Sequence, residues 1–374
     1  MDLIVRIVTF LTGLVIVTRT VFSAVQTFVL PRSARDSLTT FVFRLMRRLF
    51  DVPLKKTTTY EQRDRIMAFF APIGLLSLPP VWLILIAAGY ALMYWSIGNV
   101  GTFEQAIKVS GSSLLTLGYA APTDLPDTVL MFSEATLGLI MVALLIAYLP
   151  TMYGAFQRRE AAVTLLEVRA GSPPSAIEMI QRYHRIHGLE RLTELWLTWE
   201  QWFADIEESH TSLVALVFFR SPMPQKSWIT AAGAVLDGAA LIRSSVDVPT
   251  EPQADLCLRA GYIALRRIAD YFRIPYNRDP RPDDPISISR DEFDAVTINL
   301  RPPTPLRADR DRAWRDFAGW RVNYDTVLLA LSTITMAPYA PWSSDRSFCR
   351  QSRLCAVNLK AINDGVRAPK SRNS

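Results

Sequence analysis

Residues 112–122, SSLLTLGYAAP, combine small hydroxyl residues, one glycine and one tyrosine between two long apolar stretches. Within them, Thr116-Leu-Gly-Tyr119 offers one hydroxyl oxygen and a run of backbone carbonyl oxygens. Such oxygens replace the hydration shell of an alkali cation when they are arranged around an axis. Irregular backbone at membrane depth is tolerated only where it is buried in protein or lines a wet cavity. The segment therefore indicates the lining of an ion pathway.

Two stretches without any acidic or basic residue flank this segment, from Ile66 to Phe103 and from Ala135 to Gln157. Each exceeds the ~20 apolar residues that a helix needs to cross a bilayer. A third apolar stretch, Leu3–Leu30, follows an acidic residue and lacks a small-residue cleavage site. We interpret it as a retained helix and not as a signal peptide. The sequence thus predicts an all-α membrane protein with three crossings.

Basic residues are distributed unequally between the connections of these spans. The connection 31–65 carries nine Lys or Arg and four acidic residues, whereas Lys108 is the single Lys or Arg in 98–127. Because positive residues stay on the cytoplasmic side, the first connection is predicted inside and the second outside. Arg158 and Arg159 place the end of the third span inside. We expect an integral plasma (inner) membrane protein with its N-terminus outside and its C-terminal domain in the cytoplasm.

The outer connection has the pattern of a re-entrant segment. Thr102-Phe-Glu-Gln105 has the form of a capping box, which predicts a helix over 103–115. At 1.5 Å per residue this helix is about 20 Å long, enough to stop near the middle of a bilayer. The TLGYA segment (residues 116–120) and a polar return then precede the third span. Spanning helix, half-helix, extended strand and spanning helix together make a pore-loop module.

Charge and hydropathy divide the chain into five predicted regions. Residues 158–342 have mainly helical apolar spacing, and residues 343–374 are basic, weakly periodic and predicted to be disordered. The regions are an N-terminal transmembrane helix (1–30), a basic cytoplasmic or interfacial loop (31–65), a pore domain (66–157), a mainly helical cytoplasmic domain (158–342) and a tail (343–374). The pore domain comprises an outer helix (66–97), a pore helix (103–115), a filter (116–120) and an inner helix (128–157).

TFEQAIKVSGSSLLTLGYA (102–120) resembles the pore region of the potassium-channel superfamily, whose filter runs Thr-Val-Gly-Tyr-Gly. The resemblance covers residues 92–157 and is of the two-helix pore-domain type, whereas the part from Arg158 onward resembles no regulatory domain. Leu117 replaces the filter valine conservatively. The residues that match the superfamily pattern are Phe103, Ala106 and Ser110 in the pore helix and Thr116, Gly118 and Tyr119 in the filter.

This resemblance implies an ion channel with a selectivity filter. A single filter per chain cannot close a ring of carbonyl groups, so four chains are needed around the axis. The expected protein is a homotetrameric pore-loop cation channel that conducts potassium. Its filter would be Thr116-Leu-Gly-Tyr-Ala120, with no cofactor or metal beyond the permeant K⁺ or another monovalent cation.

One position departs from the superfamily pattern. Ala120 stands where the filter has its second glycine. The superfamily filter alternates between right- and left-handed conformations, and a left-handed alanine costs about 1–2 kcal/mol. We therefore expect strain at Ala120, relief of that strain by Ala120→Gly, and a gain in selectivity for K⁺ over Na⁺. Strict K⁺ selectivity stays open for the unmodified chain.

Four further residues are assigned around the filter. Ser113, Lys108 and Glu134 are assigned to filter support. Lys108 and Glu134 either form a buried pair that braces the filter against the inner helix, or both reach the outer water surface. Pro150 lacks an N–H and is predicted to kink the inner helix, which makes it a candidate gate hinge.

Other functions find less support. No nucleophile stands beside a base and no nucleotide-binding fingerprint occurs, so the chain is not predicted to be an enzyme. The net charge of +6 is too dispersed for nucleic-acid binding. Residues 41–56 alternate apolar and basic residues and either lie on anionic inner-leaflet lipids or form an ordinary connecting helix. Two alternatives remain for the whole chain: a non-conducting pore-fold scaffold for the cytoplasmic domain, and a membrane-tethered enzyme.

Overall fold

A computed structural model describes residues 3–28, 36–249, 251–300 and 304–346. Within these ranges the chain is helical, and its β-structure is limited to one isolated bridge between Val246 and Leu306. The α-helices are α1 (Leu3–Phe28), α2 (Ser37–Leu54), α3 (Tyr60–Met67), α4 (Phe70–Ile97), α5 (Phe103–Leu114), α6 (Leu125–Ala170), α7 (Ala176–Arg185), α8 (Leu192–Ser212), α9 (Trp228–Ser244), α10 (Pro252–Phe272), α11 (Arg290–Leu300), α12 (Arg310–Arg321) and α13 (Asp325–Ile334).

The chain forms two compact units. The first contains residues 1–155 and 212–219, and the second contains residues 156–211 and 220–374. Three segments in the described ranges are long and apolar enough to span a membrane. They are Leu3–Phe28, Tyr60–Ile97 and Leu125–Ala170, which correspond to α1, to α3 with α4, and to α6.

Helix α1 packs antiparallel along α4. The guanidinium of Arg6 lies against Gly98 at the end of α4, while Trp82 Nε1 donates to Ser23 Oγ at 3.1 Å further along. At the crossing, a Cβ on Gly13 would stand 2.4 Å from the carbonyl oxygen of Gly89. Because both positions lack a side chain, the two backbones approach closely, as small residues allow between membrane helices.

The predicted loop 31–65 contains two helices among its described residues, α2 and α3. Asp36 caps α2 by accepting from Thr39 N at 2.7 Å, and Thr59 caps α3 by accepting from Gln62 N at 3.4 Å. Side-chain oxygens at these positions satisfy N–H groups that the first helical turn leaves free.

In the second unit, α9 is surrounded by α7, α10, α12 and α13. Nearly every side chain of α9 is buried, including those of Trp228 and Leu236. A helix that is buried on all sides needs apolar residues all round its axis, and the alanine- and glycine-rich sequence of α9 supplies small ones. Gly261 of α10 illustrates the close packing, since a Cβ there would stand 2.5 Å from Leu236.

The predicted tail 343–374 lies outside the described residues from residue 347 onward. Its first four residues are not disordered, which corrects that part of the prediction. Ser344–Arg346 form a short 3₁₀ turn, and the Arg346 guanidinium donates to Glu292 Oε1 at 2.6 Å. An ion pair with the start of α11 therefore fixes the beginning of the tail.

Candidate functional site

Helix α5 is positioned by its cap and by α4. Thr102 Oγ1 accepts from Gln105 N at 3.2 Å, which is the hydroxyl half of the predicted capping box. The Phe103 ring meets the Trp95 ring edge-on at 5.5 Å between centroids. One face of α5 is thus fixed on the last turns of α4, and its C-terminal end is directed by contacts with α6.

The end of α5 lies against the backbone of α6 at Gly138. A Cβ on Gly138 would stand 2.1 Å from the carbonyl oxygen of Leu114, a distance that no side chain permits. Ser113 Oγ also lies 3.4 Å from the carbonyl oxygen of Met131 on α6, a long hydrogen bond. Ser113, which we assigned to filter support, therefore faces α6 at the point where the TLGYA segment begins.

The TLGYA segment leaves the helix axis directly after α5. Thr116 N donates to Ser113 O at 3.0 Å, and Leu117 N donates to Ser112 O at 2.8 Å. Thr116 has φ +54° and Gly118 has φ +74°, whereas φ is not positive at the residues that follow each of them. Leu117 and Tyr119 are 60% and 66% exposed, so the first unit leaves their side chains uncovered.

Ser112 connects the far end of the segment to α5. Its Oγ accepts a hydrogen bond from Ala120 N at 3.1 Å. Ala120 does not have a positive φ, so the predicted left-handed strain at this residue is wrong. The left-handed positions are Thr116 and Gly118, of which Thr116 directly follows the C-cap Leu115, where helices commonly end on a left-handed residue.

Glu134 of α6 is fully buried where α4, α5 and α6 meet. Ser110 Oγ of α5 lies 2.5 Å from Glu134 Oε1, and Tyr94 OH of α4 donates to Glu134 Oε2 at 3.2 Å. One carboxyl group therefore joins all three helices around the base of the TLGYA segment. We call Glu134, Ser110 and Tyr94 the carboxyl cluster.

The number of hydrogen atoms available limits which hydrogen bonds the carboxyl cluster can form. Ser110 has one hydroxyl hydrogen, but its Oγ lies within bonding distance of both Glu134 Oε1 and the carbonyl oxygen of Ala87, at 2.9 Å from the latter. Both contacts are hydrogen bonds if the carboxyl group of Glu134 carries a proton on Oε1 and donates it to Ser110. The geometry therefore fits a neutral Glu134 with one donor and one acceptor oxygen.

Lys108 takes no part in the carboxyl cluster. Its Nζ pairs with Glu104 Oε1 at 2.6 Å on an exposed face of α5. The predicted Lys108–Glu134 pair is therefore wrong, and so is the alternative that both residues reach water, because only Lys108 is exposed. The physical reason is the helical period: position 104 lies one turn from Lys108 on the same face, whereas Ser110 and not Lys108 points toward α6.

Pro150 lies inside α6, which continues as a helix from Leu125 to Ala170. The helix is longer than the predicted 128–157 at both ends, and its last turns belong to the second unit. The hinge role of Pro150 stays a prediction.

The sequence did not identify three residues of this site, which are Ser112, Tyr94 and Gly138. Ser112 stands in a run of small hydroxyl residues, and nothing distinguishes it from Ser113 before its partner is known. Gly138 is an isolated glycine inside a helix, a pattern that often has a packing reason. Tyr94 gave no signal, because its partner is 40 residues away in sequence.

Comparison with known proteins finds no family model, no curated protein and no solved structure that matches this chain. The chemistry of the site therefore has to be argued from its own geometry. That geometry is a short helix fixed on two long apolar helices, followed by the TLGYA segment with its exposed Leu117 and Tyr119.

Proposed function

We propose that this chain is a subunit of a homotetrameric pore-loop cation channel that conducts potassium through the TLGYA segment. One observation carries the proposal: after α5 the chain continues in an exposed segment in which Thr116 and Gly118 have positive φ and the residues after them do not. A change in the sign of φ from one residue to the next can bring like peptide groups to one side of the chain, as it does for the N–H groups of anion-binding nests, and we propose that the carbonyl groups share one side here. Carbonyl groups in such a row suit a dehydrated cation.

The helix before this segment supports the same proposal. Helix α5 ends immediately before the TLGYA segment. The C-terminal end of a helix carries a partial negative charge, which favours a cation nearby. Four such ends around one axis would add to the field of the carbonyl groups, and the nearest cationic side chain on α5, Lys108, is neutralised by Glu104.

The surface of α6 leaves room for neighbouring copies. Only 17% of its most apolar part is buried, the same share as for α1, compared with 44% for the segment that contains α4. Lipid and neighbouring copies together would cover the remainder. In detergent, the particle should have the mass of four chains of 42.1 kDa each. A monomer or dimer that still conducts would overturn the tetramer.

Ion flux from purified protein in liposomes tests conduction directly. With K⁺, Na⁺ and Cl⁻ compared, we expect cation flux with a reversal potential that favours K⁺. Gly118→Ala places a Cβ on a left-handed residue, at a cost of about 1–2 kcal/mol, and should reduce the K⁺/Na⁺ permeability ratio about tenfold. Thr116→Ala removes a hydroxyl at the start of the segment and should change ion block without preventing assembly.

Ala120→Gly is the matched control for this series. Because Ala120 is not left-handed, its replacement by glycine should leave the permeability ratio within about twofold of the unmodified protein. Absence of cation flux from correctly assembled tetramers would overturn the channel and favour a non-conducting scaffold. Flux that none of these substitutions alters would exclude the TLGYA segment as the filter.

The proposed topology is that of an integral plasma (inner) membrane protein with the N-terminus outside and the second unit in the cytoplasm. It is supported by the antiparallel packing of α1 and α4 and by the distribution of basic residues. Single cysteines at Gly101 and Thr123 should react with impermeant thiol reagents from outside, and those at Lys55 and Ser172 only from inside. The opposite labelling pattern would reverse the topology.

A further inference from the structure

Helix α2 has two contrasting faces. One face packs on the first turns of α4: the Phe43 ring occupies the space beside Gly74, where a Cβ would meet it at 2.9 Å, and the Phe50 ring lies 5.7 Å from the Phe70 ring. The opposite face carries four apolar side chains that the first unit leaves exposed. They are Phe41, Leu45, Leu49 and Val52, with exposed fractions of 63%, 42%, 55% and 61%.

These four residues form one continuous row, which we call the α2 stripe. Their spacing of four, four and three residues keeps them on one side of a helix. A second row runs beside it, formed by Arg44, Arg48 and Lys55, all exposed and each three residues after a member of the stripe. Arg47 belongs to neither row, because it pairs with Asp51 and lies over the Phe70 ring.

The position of α2 in the first unit brings both rows to the end of two candidate spanning helices. Ser23 Oγ of α1 donates to Asp36 Oδ2 at 2.5 Å, and the hydroxyl groups of Thr27 and Thr39 are 2.9 Å apart, which fixes the start of α2 at the end of α1. The contact with Phe70 fixes its later part at the beginning of α4. Where α1 and α4 span a bilayer as proposed, a helix held at their ends would lie at the boundary of the hydrocarbon core.

We propose that α2 binds a bilayer surface that contains anionic phospholipid. The α2 stripe inserts among the upper acyl chains, and Arg44, Arg48 and Lys55 bind headgroup phosphates, as in other interfacial amphipathic helices. The charge of the basic row favours lipid over a second copy of the chain as the partner of α2. A second copy of α2 would bring an identical row of three basic residues against this one, whereas an anionic headgroup complements it. The inference requires that the chain is embedded in a membrane but not that it conducts ions.

The test uses the full chain with its three cysteines, Cys257, Cys349 and Cys355, replaced by alanine. A bimane label on Leu45→Cys reports the surroundings of the stripe after reconstitution into phosphatidylcholine vesicles with phosphatidylglycerol. Lipids with a nitroxide near the headgroup should quench it, while aqueous iodide should not. The same nitroxide on phosphatidylglycerol should quench about two- to threefold more strongly than on phosphatidylcholine.

Two triple variants distinguish the effect of the basic row from the effect of a lower net charge on the whole chain. Arg44→Gln, Arg48→Gln and Lys55→Gln together should reduce the ratio of anionic to zwitterionic quenching to about one. Arg259→Gln, Arg281→Gln and Arg315→Gln remove three exposed arginines of the second unit and should leave the ratio unchanged. A label on Leu197→Cys of α8 should be quenched by iodide and not by lipid.

Three results would overturn the proposal. Quenching of the Leu45 label by iodide alone would mean that the stripe faces water. Protection from both quenchers would mean that protein covers it, for example a second copy of the chain. An equal response to anionic and zwitterionic nitroxide lipids in the unmodified chain would remove the role of the basic row. Each result is independent of ion flux, so failure here leaves the channel proposal to its own test.

Discussion

The two units each bury acidic side chains, but they satisfy them in different ways. In the first unit, the carboxyl group of Glu134 is hydrogen-bonded to the hydroxyl groups of Ser110 and Tyr94. In the second unit, Arg321 lies between two carboxylates, with NH1 2.5 Å from Asp237 Oδ1 and Nε 2.7 Å from Asp325 Oδ1. Burial favours the neutral form of a carboxyl group that has no cationic partner, whereas a carboxyl group beside a buried guanidinium can stay charged.

The Arg321 network is also the more completely bonded of the two. Its third nitrogen donates to the carbonyl oxygen of Trp342 at 2.6 Å, and Tyr324 OH donates to Asp237 Oδ1 at 2.8 Å. Although burial acts to lower it, the pKa of Arg321 is raised above its ordinary value by Asp237 and Asp325. The comparison teaches that buried acids can join helices in two ways: through hydroxyl groups, with a geometry that fits a neutral acid at Glu134, and through a guanidinium, as for Asp237 and Asp325.

The largest effect should come from removing the buried cation. Arg321→Met leaves two buried carboxylates without a cationic partner and should reduce the stability of the second unit by about 3–5 kcal/mol. Thermal unfolding monitored by tryptophan fluorescence in detergent measures this loss. Arg315→Met on the same helix removes an exposed arginine and should stay within about 0.5 kcal/mol. A similar response to both variants would contradict the structural role of the network.

The stability of the carboxyl cluster should depend on its hydrogen bonds more than on a charge at Glu134. Glu134→Gln keeps one donor for Ser110 and one acceptor for Tyr94, and should change stability by less than about 1 kcal/mol. Glu134→Leu leaves buried hydroxyl groups unsatisfied and should cost about 1–3 kcal/mol, with loss of the proposed K⁺ preference. Tetramer stability and reversal potential measure the two variants. If Gln were as damaging as Leu, Glu134 would have to be charged.

The two aspartates of the second unit should differ from each other. Burial raises the pKa of Asp237 more than Arg321 lowers it, whereas for Asp325 the bonds from Arg321 and Ser287 outweigh burial and hold the pKa below its ordinary value. Asp325→Asn should therefore cost more, about 2 kcal/mol, and Asp237→Asn about 1 kcal/mol. Urea unfolding of both variants checks the order, and an equal or larger loss of stability for Asp237→Asn would contradict it.

The smallest expected effect concerns a partly exposed acid. A hydrogen bond from Arg346 is the main cause that lowers the pKa of Glu292 from 4.5 to about 2. A lowered carboxyl pKa adds stability above the unfolded-state value of 4.5, and this contribution is lost as the pH falls from about 4.5 to about 2. Glu292→Gln should remove this acid-sensitive contribution, which is below about 1 kcal/mol because the pair is solvent-screened. Unfolding midpoints at pH 7 and pH 3 test it, and an unchanged difference between the two pH values would contradict it.

The capping box in the sequence predicted where α5 begins, but the sequence did not predict which residues α5 contacts. Thr102 and Gln105 stand three residues apart, and a capping box is a property of neighbouring residues, so its hydroxyl half was predictable. The same holds for Ser289 and Glu292, which bond reciprocally at the start of α11. The partner of Lys108 was not predicted correctly, because two candidate acids were available and only the orientation of α5 on α4 decided between them.

The sequence by itself determined the apolar stretches, their lengths and the caps, because hydropathy and capping depend on residues that are close along the chain. It therefore determined an all-helical chain with three segments able to span a membrane. Only the tertiary structure decided that Glu134 meets Tyr94 and Ser110, that Gly138 admits the end of α5, and that Thr116 and Gly118 are left-handed while Ala120 is not. The contacts of Glu134 join residues 24 to 40 positions apart. Such contacts are not encoded by near neighbours, since they arise only when separate helices pack.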